Sequence, residues 1–243
     1  MTATPLDPSR HRNTRVGASP DFAYLGEQQH AIVGLSEIAI AAADYPLALM
    51  KHAETGQFNV VALYGFSAAR NLYVAGSHWH ATYIPQNSLR YPFFVNKSGV
   101  LGLAIDEHSA RLEEPNGHRL FNDAGSPTDY TQQIADTLQG LKQDFEAMQE
   151  FVSALTKWQL IRPLVVVLLL EDGGESKIDG LYSISDKALS TLADDAIVTL
   201  VRKGYLQTIS ILTASLVQMN RLQQLHNAQS SLRVRDIGLM LRE

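Results

Sequence analysis

The stretch PLVVVLLLEDGGESKIDGLYSI, from Pro163 to Ile184, decides the fold class. Its unbroken aliphatic run, Leu164 to Leu170, reads as a strand buried on both faces. The run is far below the ~20 residues needed to span a bilayer. Asp172-Gly173-Gly174 lacks the spaced oxygens of a calcium loop and the lysine of a phosphate loop, so it reads as a turn. IDGLYSI then returns as the second strand of a hairpin.

Upstream of this hairpin, Tyr130, Ile134, Leu138, Leu141, Phe145, Met148, Phe151, Leu155 and Trp158 recur at spacings of three and four. That is one apolar helical stripe. Ser126-Pro127-Thr128-Asp129 supplies a start, with a serine cap and proline at the first helical position. Gly140 weakens the middle by about 1 kcal/mol relative to alanine. Downstream, two helices are expected from about Asp186 and about Leu206, broken at Gly204. The second has no charge from Tyr205 to Met219, which suits core packing, with a homo-oligomer seam as the other option.

The front of the chain is rich in strands. PLALMKH, FNVVALYGF and NLYVAG are short runs with aromatic and β-branched residues, and FFVN and VLGLAIDE flank Lys97-Ser98-Gly99. Tight turns between them favour an antiparallel meander. Ser36 to Ala43 reads as a short helix capped by Ser36. The fold class is therefore α+β: an antiparallel β meander, a long amphipathic helix, a second β hairpin and C-terminal helices. Residues 1–20 read as an N-terminal arm, 21–230 as one domain with lobes dividing near 125/126, and 231–243 as a tail.

Hydrophobic residues make up 45% of the 243-residue chain and charged residues 19%, which suits a folded core. A formal net charge of −5 gives no overall basic surface for nucleic acid or anionic lipid. The absence of cysteine removes disulfides, thiolate metal sites and cysteine nucleophiles. The polar N-terminus carries no secretory core, so a cytoplasmic protein is expected.

Four places carry candidate chemistry. His78 and His80 flank Trp79 and would share one face of a strand, a geometry that suits two imidazoles on one metal. No third-ligand motif accompanies them, so neither a metal nor any other cofactor is expected. Gly65-Phe66-Ser67 half resembles a nucleophile elbow but lacks its second glycine and the following helix. In SLRYPF, Arg90 offers a planar donor fork suited to carboxylate or phosphate, with Tyr91 and Phe93 as apolar faces. Asp106 and Glu107 could pair with that arginine and hold the meander to the segment before it.

Several separated motifs together resemble the SapC family over roughly Leu6 to Leu225. LDPSRHRNTRV matches its opening through Leu6, His11, Arg15 and Val16, and Asp44-Tyr45-Pro46 matches a Tyr-Pro after the first helix. YIPQNSLRYPF matches through Tyr83, Pro85, Arg90, Tyr91, Pro92 and Phe93, and AIDEHSARL resembles the family's Ile-Asp-Glu stretch. GLYSISDKALSTLADDA and RKGYLQTISILTASLVQMNRL resemble its closing strand and helices. The family pattern does not call for His-x-His at 78 and 80 or a serine at 67. Leu89 stands where a basic residue commonly precedes the arginine, and Leu212 where members often carry a histidine.

The resemblance implies an accessory role in surface-layer (S-layer) or envelope protein production or secretion, with no firmly attached reaction. The expectation is thus a non-catalytic binding protein with an envelope-related protein partner. Its binding residues would be Arg90, Tyr91, Asp106, Glu107 and Tyr83. The alternative is an enzyme with a polar pocket around Arg90, Asp106 and Glu107.

Overall fold

Residues 3–66, 70–76 and 78–242 are described by the computed structural model. The aliphatic run forms the strand Ile161–Leu170, and Leu164 to Leu168 are all buried. Backbone amides shielded from water need partners, so such a strand takes a hydrogen-bonded neighbour on each edge. One neighbour is Glu175–Ile184, paired antiparallel. The turn between them is the expected one, with Gly173 at φ 88° and the Gly174 N–H donating to Asp172 Oδ1 at 2.9 Å. The other neighbour is Val234–Leu241, also antiparallel. The tail is therefore an edge strand. Its arginines hid the strand pattern, because they fall on positions that an edge leaves in solvent.

Two compact units interleave along the chain: residues up to Leu25 with Gln86–Gln143, and Gly26–Pro85 with Asp144 onward. Each is assembled from two separate stretches, not from halves divided near residue 125. The second unit holds a six-stranded antiparallel sheet. Its order is Val234–Leu241, Ile161–Leu170, Glu175–Ile184, Leu47–Lys51, Phe58–Leu63, His30–Ile32. On it pack Met148, Phe151 and Leu155 of the long helix and Tyr205, Ile209 and Leu212 of the helix Tyr205–Ala214. The charge-free stretch Tyr205 to Met219, which the structure divides between the helices Tyr205–Ala214 and Met219–Gln229, thus gives Tyr205, Ile209, Leu212 and Met219 to the core.

The first unit holds the three-stranded sheet Ala3–Pro5, Leu103–Asp106, Phe93–Val95, and a short ladder between Arg15–Val16 and His118–Arg119. The expected single meander is therefore divided. The hairpins Leu47–Lys51/Phe58–Leu63 and Phe93–Val95/Leu103–Asp106 form as read, the former joining the aliphatic hairpin and the latter the N-terminus. Phe58–Leu63, however, takes His30–Ile32 as its other neighbour in place of NLYVAG. NLYVAG supplies only Val74–Ala75, paired with His78–Trp79. The residues read as an arm are a structural part of the first unit, with Leu6, His11 and Val16 buried. Gly99 is needed where this N-terminal segment crosses the hairpin, because a Cβ there would meet the Leu103 carbonyl oxygen at 1.7 Å and the Leu6 nitrogen at 2.7 Å.

The long helix spans Asp129–Lys157 as its periodicity predicts. Its cap differs from expectation: Thr128 Oγ1 accepts from the Thr131 N–H at 3.4 Å, while Pro127 bridges to Phe121 in extended structure. The short helix near Ser36 runs Ile38–Ala41, and Ser36 instead bonds Asp144 through both its N–H and its hydroxyl. No helix among the described residues is long and apolar enough to cross a membrane.

Candidate binding cleft around Glu107

The cleft starts from a short helix at the N-terminus, Pro8–His11. Asp7 caps it, accepting from the Ser9 N–H at 2.7 Å, and Pro8 occupies the first turn where its missing N–H costs nothing. His11 reaches back so that its Nδ1 lies 3.1 Å from both the backbone nitrogen and the carbonyl oxygen of Asp7. Its Nε2 lies 2.9 Å from Glu107 Oε1, where an N–H donates to the carboxylate. Glu107 follows the fully buried strand Leu103–Asp106 and is the first residue there to reach solvent.

Glu107 collects three donors. Arg10 grips it as a fork, Nε to Oε1 and Nη2 to Oε2, both at 2.6 Å. Thr4 Oγ1 donates at 3.1 Å, and His11 completes the set. Burial works to raise the Glu107 carboxyl pKa. The hydrogen bonds from His11 and Thr4 and the charges of Arg10 and His11 outweigh it and hold the group below its ordinary value. Around this cluster opens a cleft of about 310 Å³, lined also by Asn13, Thr14, Arg15 and Glu114. A second cavity of about 420 Å³ shares Arg10 and runs along Thr4 to Pro8. The walls therefore present both charges and many hydrogen-bonding groups beside the N-terminal segment.

The structure sends the expected binding residues to four different places. Tyr91 and Asp106 meet: the tyrosine hydroxyl donates to Asp106 Oδ2 at 3.2 Å, and both residues are buried. Burial pushes the Tyr91 hydroxyl up to about 12, a bond with Ser109 opposing and Asp106 adding to it. Tyr91 also stacks on Tyr24 with ring centroids 3.8 Å apart.

Arg90 pairs with neither acid among the described contacts. Its Nε donates to Asn87 Oδ1 and its Nη1 to the Phe93 carbonyl, both at 2.8 Å, and its guanidinium lies 4.7 Å over the Phe94 ring. Burial lowers its pKa, with Tyr24 opposing. Of the first unit's candidates, Glu107 lines the cleft. Tyr83 belongs to the second unit, where its hydroxyl donates to Glu37 Oε1 at 2.5 Å.

His78 and His80 are exposed, and no group of three or more His, Cys, Asp or Glu suited to a metal occurs among the described residues. Ser67 lies outside the described residues. Sequence reading missed Arg10 and the grouping of His11 and Arg15 with Glu107. A signal existed, since His11 and Arg15 stand in the LDPSRHRNTRV motif, but motif membership does not say which strand an N-terminal segment will join.

Fold and cleft together define an α+β protein of two antiparallel-sheet units with a polar, charge-mixed cleft in the first. The sequence model of one family, SapC, matches residues 6–222. The chain belongs to the SapC family. No curated protein and no solved structure gives a significant match.

Proposed function

We propose that this SapC-family protein is a cytoplasmic, non-catalytic accessory protein that recognises a polar, charge-bearing segment of a protein partner at the Glu107 cleft. The observation that carries this reading is the cleft itself, where Arg10, Arg15, Glu107 and Glu114 line one polar surface beside a second cavity. An extended polypeptide carrying both charges suits such walls better than a small apolar ligand, which calls for an apolar enclosure.

Recognition without turnover is favoured over the enzyme reading because the groups with chemistry are already engaged in hydrogen bonds of the fold. Both nitrogens of His11 are engaged, Asp106 is buried under Tyr91, and the Arg90 donors serve Asn87 and Phe93. In this reading Arg90, Tyr91 and Asp106 hold the hairpin that presents Glu107. An envelope or surface-layer protein is the partner class that the family resemblance supports.

The test is a tagged pull-down from the source cells, quantified by mass spectrometry, with Arg15→Glu and Glu114→Lys as controls. These variants invert wall charges without touching the Glu107 hydrogen bonds. Loss of an enriched envelope or secretion protein in folded variants is the expected result. Equal capture by both variants and the unaltered protein would remove the cleft from the proposal.

A further inference from the structure

Strand Val234–Leu241 ends the six-stranded sheet, and no strand pairs with its outer side among the described residues. The inner ladder fixes which backbone groups face out. The Arg242 N–H donates to the Pro163 carbonyl, and the register runs Leu164↔Leu241, Val165↔Met240, Val166↔Leu239. In an antiparallel ladder hydrogen-bonded and non-hydrogen-bonded pairs alternate. Arg242, Met240, Gly238 and Asp236 therefore turn their backbone groups inward, and Leu241, Leu239 and Ile237 turn theirs to the open edge. The edge is apolar in its middle: Leu239 is 41% and Met240 48% exposed. Natural sheets usually break or charge such an edge.

We propose that this edge pairs with the same edge of a second copy of the chain, antiparallel, with Leu239 on the two-fold axis. A two-fold pairing is self-complementary by construction. In this register Leu239 faces Leu239 of the second copy, and Ile237 faces Leu241. All three offer outward N–H and carbonyl groups, as the ladder requires. On the other face of the ribbon Met240 lies opposite Gly238, where the missing side chain leaves room for it. Asp236 lies opposite Arg242, twice by symmetry, at a non-hydrogen-bonded position where side chains stand closest.

A register shifted by one step either way sets Asp236 against Met240 or Arg242 against Gly238 and loses the charge match. The groups involved are available. Among the described residues Arg242 makes a 3.9 Å ion pair with Asp179, both being about two-thirds exposed. The Asp236 carboxylate accepts the Ile237 N–H at 2.9 Å, a bond exchanged on pairing for the carbonyl of Leu241 in the second copy.

Sedimentation velocity on the full chain from about 1 to 200 µM tests this. The unaltered protein should dimerise within that range. Asp236→Arg and Arg242→Asp should each weaken dimerisation about tenfold or more, since each sets like charges opposite. The double exchange D236R/R242D should restore it, because both ion pairs re-form with their signs reversed. Leu239→Pro should abolish it while the fold persists, since the N–H removed faces outward and serves no inner bond. Circular dichroism and melting confirm that each variant is folded. A monomer throughout the range would overturn the proposal, as would a dimer indifferent to the single exchanges and to Leu239→Pro, or one that the double exchange fails to restore.

Discussion

Replacing Glu107 by alanine removes the acceptor shared by Thr4, Arg10 and His11, and the cost can be assigned bond by bond. The His11 side chain is only 3% exposed, so its Nε2–H loses its partner where water reaches it poorly. An orphaned buried donor costs about 1–3 kcal/mol. The Arg10 side chain is 60% exposed, and a pair of that kind contributes about 0–1 kcal/mol. Glu107→Ala should therefore cost about 2–3 kcal/mol, dominated by the histidine. Glu107→Gln keeps an oxygen for His11 and should cost under about 1 kcal/mol.

Hydrogen exchange at the Leu103–Asp106 amides reads this in the first unit itself. The pH dependence follows from the depressed carboxyl, whose folded value lies below the ordinary 4.5. Its stabilisation is complete above 4.5 and is lost as pH falls through the folded value. The gap between unaltered protein and Glu107→Gln should thus be present at neutral pH and close on acidification. Equal protection in the alanine and glutamine variants, or a gap that widens in acid, would refute the assignment of His11 as the dominant partner.

Two further outcomes follow from the second unit and the long helix. Asp44 is buried, and its Oδ2 accepts the Thr82 and Tyr83 N–H groups at 2.8 and 2.9 Å. Asp44→Ala should cost about 2–5 kcal/mol by orphaning both, and calorimetry should show a Tm fall of roughly 5–15 °C; a fall under about 2 °C would mean other groups satisfy those amides. Gly140 lies exposed within Asp129–Lys157, and a Cβ there meets nothing within 4 Å. Gly140→Ala should therefore stabilise by about 1 kcal/mol and raise Tm by about 2–4 °C, and a lower Tm would show the glycine serves more than the helix backbone.

The sequence by itself determined the long helix and the aliphatic hairpin, because each rests on near neighbours. The three-and-four spacing from Tyr130 to Trp158 sufficed for the long helix, and the Leu164–Leu170 run with Asp172-Gly173-Gly174 sufficed for the hairpin. Arg90 could be singled out, but not its partners. A carboxylate such as Asp106 is the stronger acceptor for a guanidinium, yet Arg90 bonds Asn87 Oδ1 and the Phe93 carbonyl, so geometry overrides acceptor strength.

The tertiary structure decided which hairpins share a sheet, since strand pairing at long separation depends on the closure of the whole chain. It also decided that Ala3–Pro5 pairs with Leu103–Asp106. That single non-local ladder turns an apparent arm into one wall of a cleft and brings Arg10 and His11 to Glu107, about a hundred residues away in sequence. Hydrophobic periodicity reports which face of an element is buried. It carries no information on which other element buries it, and the cleft exists only through that second choice.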